Sequence, residues 1–175
     1  MPAASALSEP AVTSIVAAGK IVTDSPFSPG VLTGPVGRQA RVLALLSLYA
    51  VDVRPDSASA TIDWLCAQNP ATISTRRAAE SIVAGITQED SDIDEIIGRY
   101  AAALPVRLLS IVDRNILRVA IYELFNRSQI PRNVVINEAV ELASMFGSES
   151  SARFVNGVLG SVAHDLQTPV DSSVN

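Results

Sequence analysis

From position 116 to 125 the chain reads Ile-Leu-Arg-Val-Ala-Ile-Tyr-Glu-Leu-Phe, and only Arg118, Glu123 and the amphipathic Tyr122 interrupt its apolar character. The run lacks the alternation of a half-buried strand and outlasts a typical one. A helix that is apolar almost all the way round has to be enclosed by protein. Residues 111–125 are therefore expected to form the buried centre of the fold. Asp113, Arg114 and Arg118 would give that helix a charged entrance at its start.

The flanking segments carry patterns that supply walls for such a centre. Val42, Leu45, Leu46, Tyr49 and Val53 recur at steps of three and four, the signature of an amphipathic helix beginning near Arg38. Arg54-Pro55-Asp56 ends it, because the residue before a proline is pushed out of the helical region. A second helix is expected over 58–67 with Ile62, Leu65 and Cys66 inward, closed by Asn69-Pro70. Ser74 or Thr75 is placed to cap a third, whose stripe is Ala78, Ile82, Val83 and Ile86. The acidic stretch 90–94 suits the positive N-terminus of a fourth helix, which carries Ile93, Ile96, Ile97 and Tyr100.

Pro105 opens a short turn, and Ser110 is placed to cap the central helix. After Ile130-Pro131 comes a helix with Val135, Ile136, Ala139, Val140 and Ala143 inward. Phe146-Gly147 should stop it, with the glycine in the left-handed conformation. Ser148 or Ser150 would cap the last helix, which carries Phe154, Val158, Leu159 and Val162. Gly157 and Gly160 on it would admit a neighbouring helix closely. No strand pattern competes, so the expected class is all-α, a compact bundle of about seven helices.

This pattern occupies residues 37–166 as one domain. Residues 1–36 are rich in Ala, Ser, Thr and Val, broken by Pro26, Pro29, Gly30, Gly34 and Pro35, and read as a flexible N-terminal extension. Residues 167–175 read as a C-terminal tail. A net charge of −5 argues against nucleic-acid binding by bulk charge, while a local basic patch stays compatible with it. A single cysteine, Cys66, excludes an intrachain disulfide framework and fits a reducing compartment. No apolar run approaches a membrane span, and no basic residue precedes Lys20 to make a signal peptide's charged start. The cytoplasm is the expected location.

The chemistry points to binding rather than catalysis. His164 is the sole histidine, and nothing in the sequence pairs it with Cys66. No phosphate-binding loop, dinucleotide fingerprint or zinc spacing is present, so no catalytic residue, metal or cofactor is assigned. Glu138 and Glu141, three apart, read as a solvated or salt-bridged helix face. Arg38 and Arg41, also three apart, open the first helix, where guanidinium groups and helix dipole together favour a phosphate.

Four blocks in order then carry a resemblance. Val112-Asp-Arg-Asn-Ile-Leu-Arg-Val-Ala-Ile-Tyr-Glu-Leu124, Ile130-Pro131, Val135-Ile-Asn-Glu-Ala-Val-Glu-Leu142 and Arg153-Phe-Val-Asn-Gly-Val-Leu159 resemble the NusB family of bacterial transcription antitermination factors. Arg38-Gln-Ala-Arg41, with Ala44 and Leu48-Tyr49, is similar to that family's first helix. The resemblance spans residues 38–166, strongly after 111 and thinly between 52 and 104. It implies seven helices in two subdomains, and binding of boxA RNA together with the ribosomal protein NusE. The pair would help assemble an antitermination complex on RNA polymerase at ribosomal RNA operons, without catalysis.

The same resemblance places Arg38 and Arg41 on the RNA-gripping segment and Phe146, Arg153 and Phe154 on the same RNA surface. It sets Asp113, with Arg114 beside it, toward NusE. Gly37 and Gln39 stand where the family is often basic, so fewer counterions are released on binding and weak RNA affinity without NusE is expected. Asn137, Glu138, Asn156 and Gly157 belong to the family signature, with a structural role expected for them. Both dimers and monomers occur in the family, so a homodimer is left open. Two other readings compete, an RNA-independent helical protein-interaction scaffold and a detached accessory domain of a ribosomal RNA methyltransferase.

Overall fold

The computed structural model describes residues 35–53, 58–68 and 71–167. The expected N-terminal extension up to residue 34, the breaks at Pro55 and Pro70, and the tail beyond 167 lie outside the described residues. Seven α-helices follow in order, with no strand among the described residues. They are α1 Val36–Val53, α2 Ala58–Gln68, α3 Ile73–Gln88, α4 Asp90–Tyr100, α5 Ile111–Asn126, α6 Arg132–Phe146 and α7 Ser151–Asp165. A short 3-10 turn, Val106–Leu108, links α4 to α5.

Two groups of helices share one hydrophobic core. α1, α2 and α3 pack on one another, α5, α6 and α7 do likewise, and α4 lies against α5 and α7. The join is made by α1 and α3 lying on α5. The central helix is buried as expected, from Val112 through Leu124, apart from the partly exposed Arg114, Arg118 and Tyr122. Its last apolar residue departs from the expectation: Phe125 is 48% exposed. α1 departs in the other direction. It is buried without a break from Ala40 to Leu48, because α2 and α3 cover one side and α5 the other. A single-stripe reading assumes one neighbour, and α1 has three.

Local signals explain most of the ends. Ser110 caps α5, its hydroxyl accepting from the Asp113 amide at 3.0 Å. α3 is capped by Thr72, accepting from Thr75 N at 3.1 Å, and not by the expected Ser74 or Thr75, which lie inside the helix. Ser150 holds the N-cap position of α7 without a capping side-chain bond; instead Ser151 Oγ accepts from Ser148 N at 2.8 Å.

The stop after α6 works differently from the expected left-handed cap. Gly147 has φ −92° and ψ −173°, an extended conformation open to any residue. What requires glycine is space. A Cβ here would lie 2.7 Å from the Ala143 carbonyl oxygen and overlap Ser151. Gly147→Ala should therefore destabilise by about 1–3 kcal/mol, the usual cost of overpacking, measured by urea unfolding. An unchanged midpoint would mean that the turn relaxes freely.

The expectation for Gly157 and Gly160 is corrected. A Cβ on either would meet nothing within 4 Å, and both are exposed, so none of the described helices approaches them. The close approach is at Gly85 in α3, where the Tyr122 ring of α5 occupies the space of a side chain.

Candidate nucleic-acid interface

The start of α1 meets carboxylates from α5 and α6. Arg41 is buried, and its Nε donates to Glu123 Oε2 at 2.7 Å, with Glu123 itself 2% exposed. A second carboxylate, Glu138, approaches Arg41 Nη1 at 3.6 Å. One turn earlier, Arg38 is held in a fork: Nε donates to Glu138 Oε2 at 3.1 Å and Nη2 to Glu138 Oε1 at 2.8 Å. Glu141 Oε2 adds a further contact to the same Nη2 at 2.8 Å. Charge-assisted, two-pronged pairing of this kind fixes geometry as well as energy.

The hydrogen bonds from Arg38 hold the Glu138 carboxyl below the usual glutamate range, against the opposing effect of its burial. The same bonds push the Arg38 guanidinium up. Glu138 and Glu141 thus form a salt-bridged face whose cation comes from α1. Arg38 keeps 29% of its side chain exposed and so still reaches the surface, whereas Arg41 at 7% is a scaffold charge.

α6 leads into α7, and the two helices pack together. Here the three residues singled out by resemblance separate. Phe146 is 2% exposed in the core, a position from which its ring meets no base unless the core opens. Phe154 is half-buried, packed on the core with part of its ring accessible. Arg153 is exposed. Asn156, Gly157 and Gly160 are also exposed, at helical spacing from Arg153, so one solvent-facing strip of α7 carries a cation, an amide and two residues without side chains. Asn137 is exposed too. The structural role expected for the two asparagines gives way to a surface position.

The opposite end of α5 holds the second candidate surface. Asp113 is 9% exposed, and its Oδ1 finds no hydrogen-bond partner in the described structure. Arg114 donates to Asp52 Oδ2 at 2.9 Å and to the Arg107 carbonyl at 3.4 Å, while its Nε is buried without a partner. Asn115 also donates to Asp52 Oδ2, at 2.8 Å. Arg118 forks onto Asp94 at 2.8 and 2.7 Å, the contact that chiefly raises its pKa.

Asp52 therefore ties the end of α1 to the start of α5, a role that its position before a helix break did not announce. Next in sequence to Asp52 and Arg107, the two partners of Arg114, are Val53, 40% exposed, and Leu108, 60% exposed.

The NusB family's sequence profile matches residues 38–164. The chain belongs to the NusB family. A transcription antitermination protein NusB of Dehalococcoides mccartyi is 41% identical over 129 residues, covering 74% of this chain and 90% of that protein. One from Bacillus cereus is 38% identical over 130 residues, covering 74% and 98%. Among solved structures, T. maritima NusB matches with a TM-score of 0.70 and 32% identity over 76% of this chain and 93% of that one. A structure described as antitermination factors NusB and NusE in complex with dsRNA matches with a TM-score of 0.68 and 26% identity, covering 74% and 97%.

Among the described residues no helix of this NusB-family chain is long and apolar enough to cross a membrane. Nor does any group of three or more His, Cys, Asp or Glu side chains among them come together as a metal site. Cys66 is half-buried, and burial pushes its thiol up, so the thiolate is disfavoured.

Proposed function

We propose that the protein is a transcription antitermination factor that binds boxA RNA together with NusE. In this role it supports ribosomal RNA operon transcription within an antitermination complex on RNA polymerase. The observation that carries this reading is the fold match to the NusB–NusE–dsRNA complex, over nearly all of the matched chain. The function is one of assembly, and no residue is assigned a catalytic step.

Within it the RNA contacts fall to Arg38, Arg153 and Phe154. Arg38 and Arg153 are cations that reach the surface, and Phe154 offers a part-exposed ring for stacking on an unpaired base. Arg41 acts by positioning α1, and Phe146 by packing beneath the α6–α7 turn. The bare strip at Gly157 and Gly160 lets a backbone approach α7 closely. At the other end, Asp113 and Arg114 form the edge that meets NusE, Arg114 held there by Asp52; the unpartnered Asp113 oxygen is buried, so a donor reaches it only when the start of α5 shifts.

Fluorescence anisotropy with a boxA oligonucleotide, with and without NusE, tests this. NusE should tighten binding, and Arg38→Ala/Arg153→Ala should weaken it by roughly tenfold or more, the scale of losing charged hydrogen bonds, with helicity unchanged. Asp113→Asn should weaken NusE capture while leaving the RNA affinity of the isolated chain alone. Tight binding without NusE, or a double variant that binds as wild type, would refute the assignment.

A further inference from the structure

A groove between α4 and α5 belongs to neither surface. It encloses about 290 Å³, near the lower edge of small-ligand sites (roughly 300–1,000 Å³), which suits one or two large side chains. Ile93 and Ile121 form its floor and are almost completely buried, while Ile96 and the half-exposed Phe125 form its walls. The rim is acidic. Asn126 donates to Glu89 Oε2 at 2.9 Å and so fixes that carboxylate at the mouth. Asp92 is exposed there and has no ion-pair partner among the described residues. No arginine or lysine lines the groove. Arg127, next in sequence, lies over the ring of Tyr122, which also lines the groove, and donates to Ser81.

Helix geometry sets this groove apart. Phe125 lies two residues beyond Glu123, so their side chains diverge by about 200° around α5. Glu123 holds Arg41 on the α1 side, and Phe125 therefore opens on the far side from the arginine cluster. It is also twelve residues along the helix from Asp113, about 18 Å at 1.5 Å per residue. An acid-rimmed groove repels RNA and anionic lipid headgroups alike, and favours a cation beside an apolar anchor.

We infer that the α4–α5 groove is a third docking surface, which takes a protein segment bearing one large apolar side chain flanked by arginine or lysine. The RNA and NusE surfaces stay free, so the chain can hold an additional protein on the far side of α5. This inference stands on the groove alone and is independent of the RNA assignment.

The probe is an amidated peptide with a central Leu-Trp pair flanked on each side by two arginines, titrated into the full chain carrying labelled isoleucine methyl groups. Saturable shifts at Ile93, Ile96 and Ile121 are expected below roughly 1 mM. Asp92→Arg and Phe125→Ala, both at exposed positions, should each weaken binding about tenfold with unchanged circular dichroism. Replacing the peptide's arginines by glutamates should abolish it, and boxA RNA or NusE should leave the complex intact.

Absence of shifts, equal shifts with the glutamate peptide, or displacement by NusE would overturn the inference. So would groove-methyl shifts on deleting residues 1–34, or concentration-dependent dimerisation lost in Phe125→Ala. Those two outcomes would assign the groove to the chain's own leader or to a second copy.

Discussion

Replacing Glu123 by alanine should cost roughly 3–5 kcal/mol, because it strands the Arg41 charge inside the protein. For a chain of this size that is a fall in melting temperature on the order of 10 °C. Arg41 has 7% of its side chain exposed, and its remaining carboxylate neighbour, Glu138, is at 3.6 Å and already forked onto Arg38. Water reaches Arg41 poorly, so the lost partner is not replaced. The pair's own net worth is smaller, since burying both charges costs much of what their attraction returns. Arg41→Met/Glu123→Leu should accordingly recover most of the stability lost in the single variant. Thermal melts of the three proteins measure this, and a single-variant loss under about 1 kcal/mol would show that the pair is solvated.

The second large effect concerns RNA. A phosphate that binds Arg38 must compete with Glu138 and Glu141, which hold the guanidinium at 2.8 Å each. Glu138→Gln/Glu141→Gln keeps the side-chain volumes and removes both competing charges. Affinity for boxA RNA should rise by about tenfold, the scale of a charge-assisted hydrogen bond gained. The dependence of log affinity on log salt should steepen by up to about 0.7, the value of one full phosphate contact on a single strand, as Arg38 is freed to complete its contact. Adding Arg38→Ala should abolish the gain. If the double variant binds as wild type, the clamp is not what limits affinity.

The sign of the pH dependence follows from the direction of the Glu138 shift. Its folded pKa is lowered, so the stability it contributes is present above the unfolded value and lost as pH falls through the lowered one. Glu138 is therefore fully charged at neutral pH.

Apolar periodicity made the helices, their order and the central segment legible, because 3.6-residue spacing records which face meets protein. Pairing between distant charges was not legible. Arg41 and Glu123 each look like surface charges in a helical turn, and only the packing of α1 on α5 brings them together away from water. Glu138 and Glu141 read as a solvated or salt-bridged face, and the sequence could not choose between the two because the cation, Arg38, is 100 residues away. Phe125 shows the converse limit. Periodicity marks a residue as apolar and cannot say that the neighbouring helix stops short of covering it. The site residues divide along the same line, since exposure separates Arg153 from Phe146 and the sequence records no exposure.

The buried pair also has a consequence for synthesis on the ribosome. Arg41 emerges 82 residues before Glu123. At about 5–20 residues per second, that leaves α1 waiting roughly 4–16 s for the carboxylate that neutralises it. During this interval α1–α3 carry an apolar surface with the Arg41 cation, near the start of α1, still without Glu123, which disfavours premature collapse over it. The N-terminal group can therefore complete its packing only after α5 has left the exit tunnel.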